Sequence, residues 1–174
     1  MEEREKTLID LTFERFFKSN YYYLITASLF NSTFTNKDNI VRNTSFNQNF
    51  VINFLGGYER IVQEKNYITI NVKNVFAGGK RFVPIDIMES ELNKATIYDW
   101  SKAYEKRYAN FFRIDLRLGY MINMRKSSFE IATDLQNLTN SKQPFMESYD
   151  PSTKQIKSKL QLGFLPMLTA KIEF

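Results

Sequence analysis

Apolar and polar residues alternate along most of this chain with the period of two that strands impose. The clearest run is Phe112, Ile114, Leu116, Leu118, Tyr120 and Ile122, interleaved with Arg113, Asp115, Arg117 and Gly119. One face is wholly apolar and the other mostly charged, the pattern of a strand buried on one side. At the end of the chain Leu160, Leu162, Phe164, Pro166, Leu168, Ala170, Ile172 and Phe174 share one parity, with Gln161, Gly163, Thr169, Lys171 and Glu173 on the other. Shorter copies centre on Ile9–Leu11–Phe13, Tyr23–Ile25–Ala27–Leu29, Phe50–Ile52–Phe54, Ile68–Ile70–Val72 and Phe129–Ile131–Leu135. The pattern predicts about seven strands, most near the length of a tilted membrane-barrel strand.

The connections alternate in length as regularly as the strands do in polarity. Short turns are expected at Lys18-Ser19-Asn20, near Tyr58–Asn66 and at Asn123–Lys126. Long loops are expected around Thr33–Asn47, Gly78–Asn110 and Thr139–Lys157. Outer-membrane barrels have this asymmetry, with short periplasmic turns and long extracellular loops. The fold class this predicts is all-β, an antiparallel transmembrane β-barrel segment. A soluble sandwich or barrel alternates in the same way with its apolar face inward, so periodicity alone leaves that reading open. The polar face favours a wet lumen: Arg113, Asp115 and Arg117 would oppose Glu130 and Asp134 on the next strand, with Lys73 on the other side. Aromatic clusters at strand ends (Phe16, Phe17 and Tyr21–Tyr23; Tyr108, Phe111 and Phe112) fit the girdles of a membrane interface.

Composition adjusts this picture mainly by exclusion. No run approaches the roughly 18 apolar residues of a membrane helix, and a negative mean hydropathy is what an alternating barrel shows. Cysteine and histidine are absent, which removes disulfides, thiolate sites and His-based triads. The net charge of +5 comes from 24 basic residues interleaved with 19 acidic ones, without the basic stripe of a nucleic-acid surface. No nucleophile–base pair stands out, so neither enzyme chemistry nor a cofactor is expected. The charged start, Met1–Lys6, lacks the apolar core of a signal peptide, from which a fragment or an altered start is expected.

Ala77-Gly-Gly-Lys-Arg-Phe-Val-Pro-Ile-Asp86, Tyr98-Asp-Trp100, Phe112–Tyr120, Asp134-Leu-Gln-Asn-Leu-Thr-Asn140, Tyr149-Asp-Pro151, Gln161–Pro166 and Lys171-Ile-Glu-Phe174 follow one another along the chain. In that order they resemble the C-terminal barrel of TonB-dependent outer-membrane receptors. Tyr21–Leu29 and Arg42-Asn-Thr44 extend the likeness upstream. The resemblance covers residues 8–174 and leaves 1–7 as an extension outside it. It implies a barrel of about 22 strands around a plug, of which this chain would form the last third. At about 25 residues per strand and connection, such a barrel needs over roughly 500 residues. It further implies uptake of a scarce nutrient (iron chelate, cobalamin or glycan) across the bacterial outer membrane. The implied partners are membrane lipid, the missing plug and strands, the TonB system and the barrel-assembly machinery. The rival readings are a small self-contained outer-membrane barrel (adhesin or pore), which needs an eighth strand, and a soluble ligand-binding β-protein. A hairpin of Phe145–Tyr149 with Gln155–Leu160 is the weak material for that strand.

Candidate residues fall into five groups. Phe174, with Ile172, Ala170 and Leu168 on the same face, resembles the family's barrel-assembly signal; an apolar lipid-facing strand needs the same residues. Lys73, Arg113, Asp115, Arg117, Glu130 and Asp134 are expected on a charged lumen wall, stiffening it or lining a path. The acidic residues of the longest loop (Asp86, Glu89, Glu91, Asp99 and Glu105) match no calcium-loop spacing. Gly78-Gly79 lacks the Lys-Ser/Thr of a phosphate loop and is expected to bend a strand end. Asn137-Leu-Thr139 is formally a glycosylation sequon.

Overall fold

The computed structural model describes residues 3–63 and 65–174. In chain order the elements are β1 (Glu3–Lys18), β2 (Tyr21–Thr35), β3 (Val41–Asn43), β4 (Phe50–Gln63), β5 (Asn66–Ala77), β6 (Arg81–Phe82), the helix α1 (Ile87–Asn93), β7 (Lys106–Arg107), β8 (Phe111–Asn123), β9 (Ser128–Gln136), β10 (Pro144–Asp150), β11 (Gln155–Leu160) and β12 (Leu165–Glu173). Seven of these form one antiparallel meander in the order β1-β2-β4-β5-β8-β9-β12, with β3 added beside the end of β2. The protein is all-β, as the alternation predicts.

The short turns set the register. Ser19 and Asn20 both adopt left-handed backbone (φ 56° and 74°), the two-residue hairpin turn whose twist matches right-twisted strands. At Asn123–Ser128 the amide of Met124 donates to the carbonyl of Ser127 at 2.9 Å. With register fixed, every apolar parity falls on one side of the sheet. Leu11, Ala27, Ile52, Phe76 and Phe112 form one cross-strand row. Val72, Leu116, Leu135 and Pro166 continue another, and Ile70, Leu118, Thr133 and Leu168 a third. Asn74 and Thr133 are polar exceptions on this face.

Nothing in the described residues covers that face. Ala77, Ala103, Ala132 and Tyr149 are the buried apolar side chains, while Leu11, Phe13 and Leu168 are 68%, 62% and 77% exposed. The sheet leaves its apolar residues exposed along one face. Aromatic residues frame this face at two heights. Phe50, Phe76 and Phe112 form a chain of ring contacts at the loop end, at 5.1 and 6.1 Å between centroids. Phe13, Tyr21, Tyr23, Tyr58 and Tyr120 mark the turn end, where the guanidinium of Arg15 lies 4.2 Å from the Tyr21 ring. From Phe112 to Tyr120 the strand rises about 27 Å.

On the other face a small residue makes room for a bond across two strands. Tyr22 lies over Gly57, whose added Cβ would meet its ring at 2.2 Å, and its hydroxyl donates to Asn71 Oδ1 at 2.9 Å. Covering a strand glycine with an aromatic ring stabilises the ladder there.

Several sequence expectations are revised. β1 begins at Glu3, so the strand runs through the upstream residues that carry no resemblance. β4 continues to Gln63, past the turn expected from Tyr58. The last strand starts at Leu165, not Leu160; Leu160 pairs with Pro144 in the separate β10–β11 hairpin. Residues 161–164 have their backbone groups taken elsewhere. The amide of Gln161 donates to the Gln143 carbonyl, the Leu162 carbonyl accepts from Asn137 Nδ2, and the Phe164 amide donates to Asn140 Oδ1. Among the described residues β1 and β12 have no partner on their outer edges, and the sheet does not close.

Candidate functional site

The six charged residues singled out in the sequence meet on the polar face. Lys73, Asp115, Arg117 and Asp134 belong to neighbouring cross-strand pairs on β5, β8 and β9. Arg117 donates to Asp134 Oδ2 at 2.7 Å and, diagonally, to Glu130 Oε1 at 2.8 Å. Gly119 and Ala132 pair beside it and leave the space through which the Glu130 carboxylate reaches. Arg113 does not reach the acids of β9. Its Nε donates to Asp115 Oδ1 at 2.7 Å and its second nitrogen to Gln136 Oε1 at 3.3 Å. Asp115 also accepts the Asn137 amide at 2.7 Å, which ties the wall to the loop after β9. Every cation has a carboxylate partner or neighbour, so the arrangement reinforces strand pairing; part-exposed pairs of this kind contribute about 0.2–1 kcal/mol each.

A second assembly, the cap, lies at the loop end. Arg81 is its clasp: Nε donates to the Asn47 carbonyl at 2.8 Å, and one terminal nitrogen donates to the carbonyls of Tyr104 and Glu105 at 3.0 and 3.1 Å. Burial and the nearby Arg107 push its pKa down from the ordinary arginine value, a direction that leaves it cationic at neutral pH. Asn47 is fully buried; its amide donates to Asn31 Oδ1 and Asn43 Oδ1, and its own Oδ1 accepts from Asn49. The third loop joins through Tyr98, whose hydroxyl donates to the Glu147 carbonyl at 3.2 Å, and through the Tyr149 amide, which donates to Thr96 Oγ1 at 2.9 Å. Lys154 pairs with Glu91. Gly78 and Gly79 let the chain pass between two strand ends: a Cβ would lie 1.8 Å from the carbonyl oxygen of Gln48 or of Tyr108. Close backbone approach, more than a bend, is the reason for glycine here.

Within the cap, Phe82 and Tyr108 stack at 4.4 Å and Tyr98 meets Trp100 edge-on at 6.4 Å. These rings, with Phe46 and Phe145, line a cleft of about 320 Å³. Burial, followed by the Glu147 carboxylate beside it, raises the Tyr108 phenol to about 12, so it stays protonated. Ser45, Phe46 and Tyr104 also line a larger hollow of about 1010 Å³ over the polar face of β1 and β2. The two spaces therefore adjoin.

The loop acids do not converge on a common centre. Asp86 caps α1 by accepting the Glu89 amide at 3.0 Å. Asp99 caps the single turn Trp100–Lys102, accepting from Lys102 Nζ at 2.8 Å and from Ser101. Those bonds, Lys102 first, lower Asp99 to about 2. A depressed carboxylate stabilises above its unfolded pKa of about 3.9 and loses that contribution as pH falls through the folded value. The emission of the neighbouring Trp100 is therefore expected to hold steady from pH 7 to about 4 and to change as pH approaches 2. A transition centred near pH 5 would contradict the assignment.

Asn47 and Arg81 act as hubs that the sequence reading did not single out; Asn137, read there only as a formal sequon, is a third. Asn137 is 2% exposed; its Nδ2 donates to the Ser141 and Leu162 carbonyls and its Oδ1 accepts from Thr139 and the Ser141 amide. The formal sequon is thus a loop-folding device with its amide nitrogen out of reach of a glycan. At the C-terminus, Leu168 and Ile172 project from the apolar face, Ala170 pairs with Ile131, and Phe174 is fully exposed. No family model, curated protein or solved structure matches the chain.

Proposed function

We propose that this chain is the C-terminal wall of a larger outer-membrane β-barrel, and that the parent is a TonB-dependent receptor importing a scarce nutrient. The observation that carries the membrane reading is the exposed, mainly apolar face, framed by aromatic residues about 20 Å apart along the axis of a barrel whose strands tilt by about 40°. Its apolar rows belong towards lipid, and the ladder of Lys73, Arg113, Asp115, Arg117, Glu130 and Asp134 towards a wet interior. The receptor reading rests on the ordered resemblance of residues 8–174.

The strand count supports a partial wall. In a seven-strand antiparallel meander, β1 and β12 run in the same direction, so joining them would create a parallel pair. The same holds between copies arranged head to tail. Antiparallel closure calls for an odd number of further strands supplied by other chain segments. The β10–β11 hairpin forms its own sheet in the cap and supplies no eighth strand to the meander. On this reading Phe174, Ile172, Ala170 and Leu168 lie on the lipid side of the closing strand, where assembly machinery would meet them.

Fluorescence quenching tests the orientation. In a Trp100→Phe background, Leu118→Trp in vesicles should be quenched by lipids brominated along their acyl chains, and Asn71→Trp should not. Equal quenching of the two would reject the assignment of faces. Coding sequence upstream of Met1 should specify further alternating strands and a plug; an unrelated gene there would defeat the receptor reading.

A further inference from the structure

Three cations stand on the apolar face at its turn end. Arg15 pairs with Tyr23, Lys18 with Tyr21, and Arg60 with Ile68, two positions beyond Tyr58. Arg15 and Lys18 are three positions apart, so an unbroken strand would send them to opposite faces. The register shift between them inserts one residue and turns both to the apolar side. Phe17, inside that bulge, meets Tyr22 on the polar side, with 6.5 Å between ring centroids. Arg15 lies three residues from the end of β1, whereas Leu116 lies seven from the end of β8. Arg15 therefore belongs at the rim and Leu116 at mid-depth.

None of the three cations has a carboxylate partner among the described residues. The Arg15 guanidinium rests on the Tyr21 ring at 4.2 Å, and its Nε is closed off from solvent without a hydrogen-bond acceptor. The nearby acids face the other way: Glu14 pairs with Leu24 and Glu59 with Thr69 on the polar face. Glu5 shares the apolar side of β1 but stands at the loop end, about 33 Å from Arg15 along the strand. An anion is thus favoured at one end of this face and not at the other. Strand spacings put the Lys18 backbone about 7 Å from that of Arg15 and about 12 Å from that of Arg60, so these long side chains can converge on one headgroup. Lys65, Arg125 and Lys126 occupy the other short turns and add to the positive field at this end.

We propose that the turn end of β1, β2 and β4 binds the headgroup of an anionic phospholipid, with its phosphate oxygens on Arg15, Lys18 and Arg60. Guanidinium and ammonium groups suit phosphate oxygens, and Tyr21, Tyr23 and Tyr58 suit the boundary between headgroup and hydrocarbon. One row further in, Phe13, Ile25 and Phe54 pair across the same three strands and offer the acyl chains an apolar track. A free phosphate ion would leave that track and the tyrosine rings unmatched. The site requires that the apolar face meets lipid, as the proposed function has it, and is independent of what a parent receptor imports.

Trp100 is the one tryptophan of the chain, so in a Trp100→Phe background Ile25→Trp reports on this site alone. The full chain is placed in phosphatidylcholine vesicles holding a small, equal mole fraction of acyl-brominated phosphatidylglycerol or acyl-brominated phosphatidylcholine. Phosphatidylglycerol should quench as though about fivefold enriched at the reporter, the effect of one basic residue at an anionic surface. Leu135→Trp, on β9 and away from the three cations, should show no preference. Arg15→Gln, Lys18→Gln and Arg60→Gln together should abolish the preference at Ile25→Trp while quenching by brominated phosphatidylcholine, which reports insertion, is unchanged. Arg15→Lys with Arg60→Lys keeps the charge and should keep the preference. Equal quenching by the two lipids at Ile25→Trp overturns the site and leaves the membrane reading standing. A preference that survives the triple substitution also overturns it. Absence of quenching by either lipid at both reporters overturns the site and the membrane reading together.

Discussion

If the apolar face meets lipid as proposed, Leu116→Arg should destabilise the sheet in vesicles by about 2–4 kcal/mol, the cost of an arginine at mid-depth on a lipid-facing strand. Leu116 sits midway between the aromatic levels at Phe112 and Tyr120, in the row with Val72 and Leu135. An arginine there cannot reach water without distorting the wall, and no carboxylate shares its face nearby. The same side chain introduced at Met167 should cost almost nothing. Met167 pairs with Asp134 on the polar face, where a guanidinium gains a carboxylate neighbour and stays wet. Urea titration of the folded fraction in vesicles measures the difference between the two variants. Equal effects, or a larger penalty at Met167, would mean that the apolar face does not meet lipid.

Gly79→Ala should unfasten the cap while leaving the meander intact. The added Cβ would lie 1.8 Å from the Tyr108 carbonyl oxygen and 2.9 Å from that of Ala109, and both obstacles are backbone. Tyr108 is also held by its amide, which donates to the Lys80 carbonyl at 3.0 Å, so relief requires separating the two ends of the long loop. A cost of about 3 kcal/mol is expected, at the upper end for overpacking because no flexible side chain can yield. Arg81 lies two residues on, so its grip on Asn47, Tyr104 and Glu105 should loosen as well. Trypsin reports this: cleavage at Arg81, Lys102, Lys106 and Arg107 should accelerate, while the strand sites Lys73, Arg113 and Arg117 stay protected. Trp100 emission should shift to the red. An unchanged cleavage pattern would show that the loop accommodates the methyl, and that the glycines serve another purpose.

The contrast between these experiments follows how the chain encodes its structure. Alternation in β8 places Leu116 and Arg117 on opposite faces whatever surrounds them, because successive side chains on a strand point opposite ways. The charged ladder was legible for the same reason: Arg117 and Asp134 had to meet once the Asn123–Ser128 turn set the register. Turn chemistry was legible at Ser19-Asn20, where a left-handed pair suits a two-residue hairpin. By contrast, Leu160–Phe164 carry the alternation of a strand and do not join one with β12. Asn137, Gln143 and Asn140 compete for their backbone groups.

By itself, then, the sequence determined the seven-strand meander, its two faces and the alternation of short and long connections, all consequences of local geometry with period two. Only the tertiary structure decided the cap. Arg81 finds carbonyls at positions 47, 104 and 105, Asn47 gathers three other asparagines, and Phe46 comes beside Tyr104 across long loops. None of these meetings repeats along the chain, and each depends on where a loop returns after a strand pair has been fixed. The tertiary structure also decided that this sheet hides no core of its own. An alternating strand reads the same whether its apolar side faces a protein interior or a surrounding lipid. The difference lies in what packs against that side, and among the described residues nothing does.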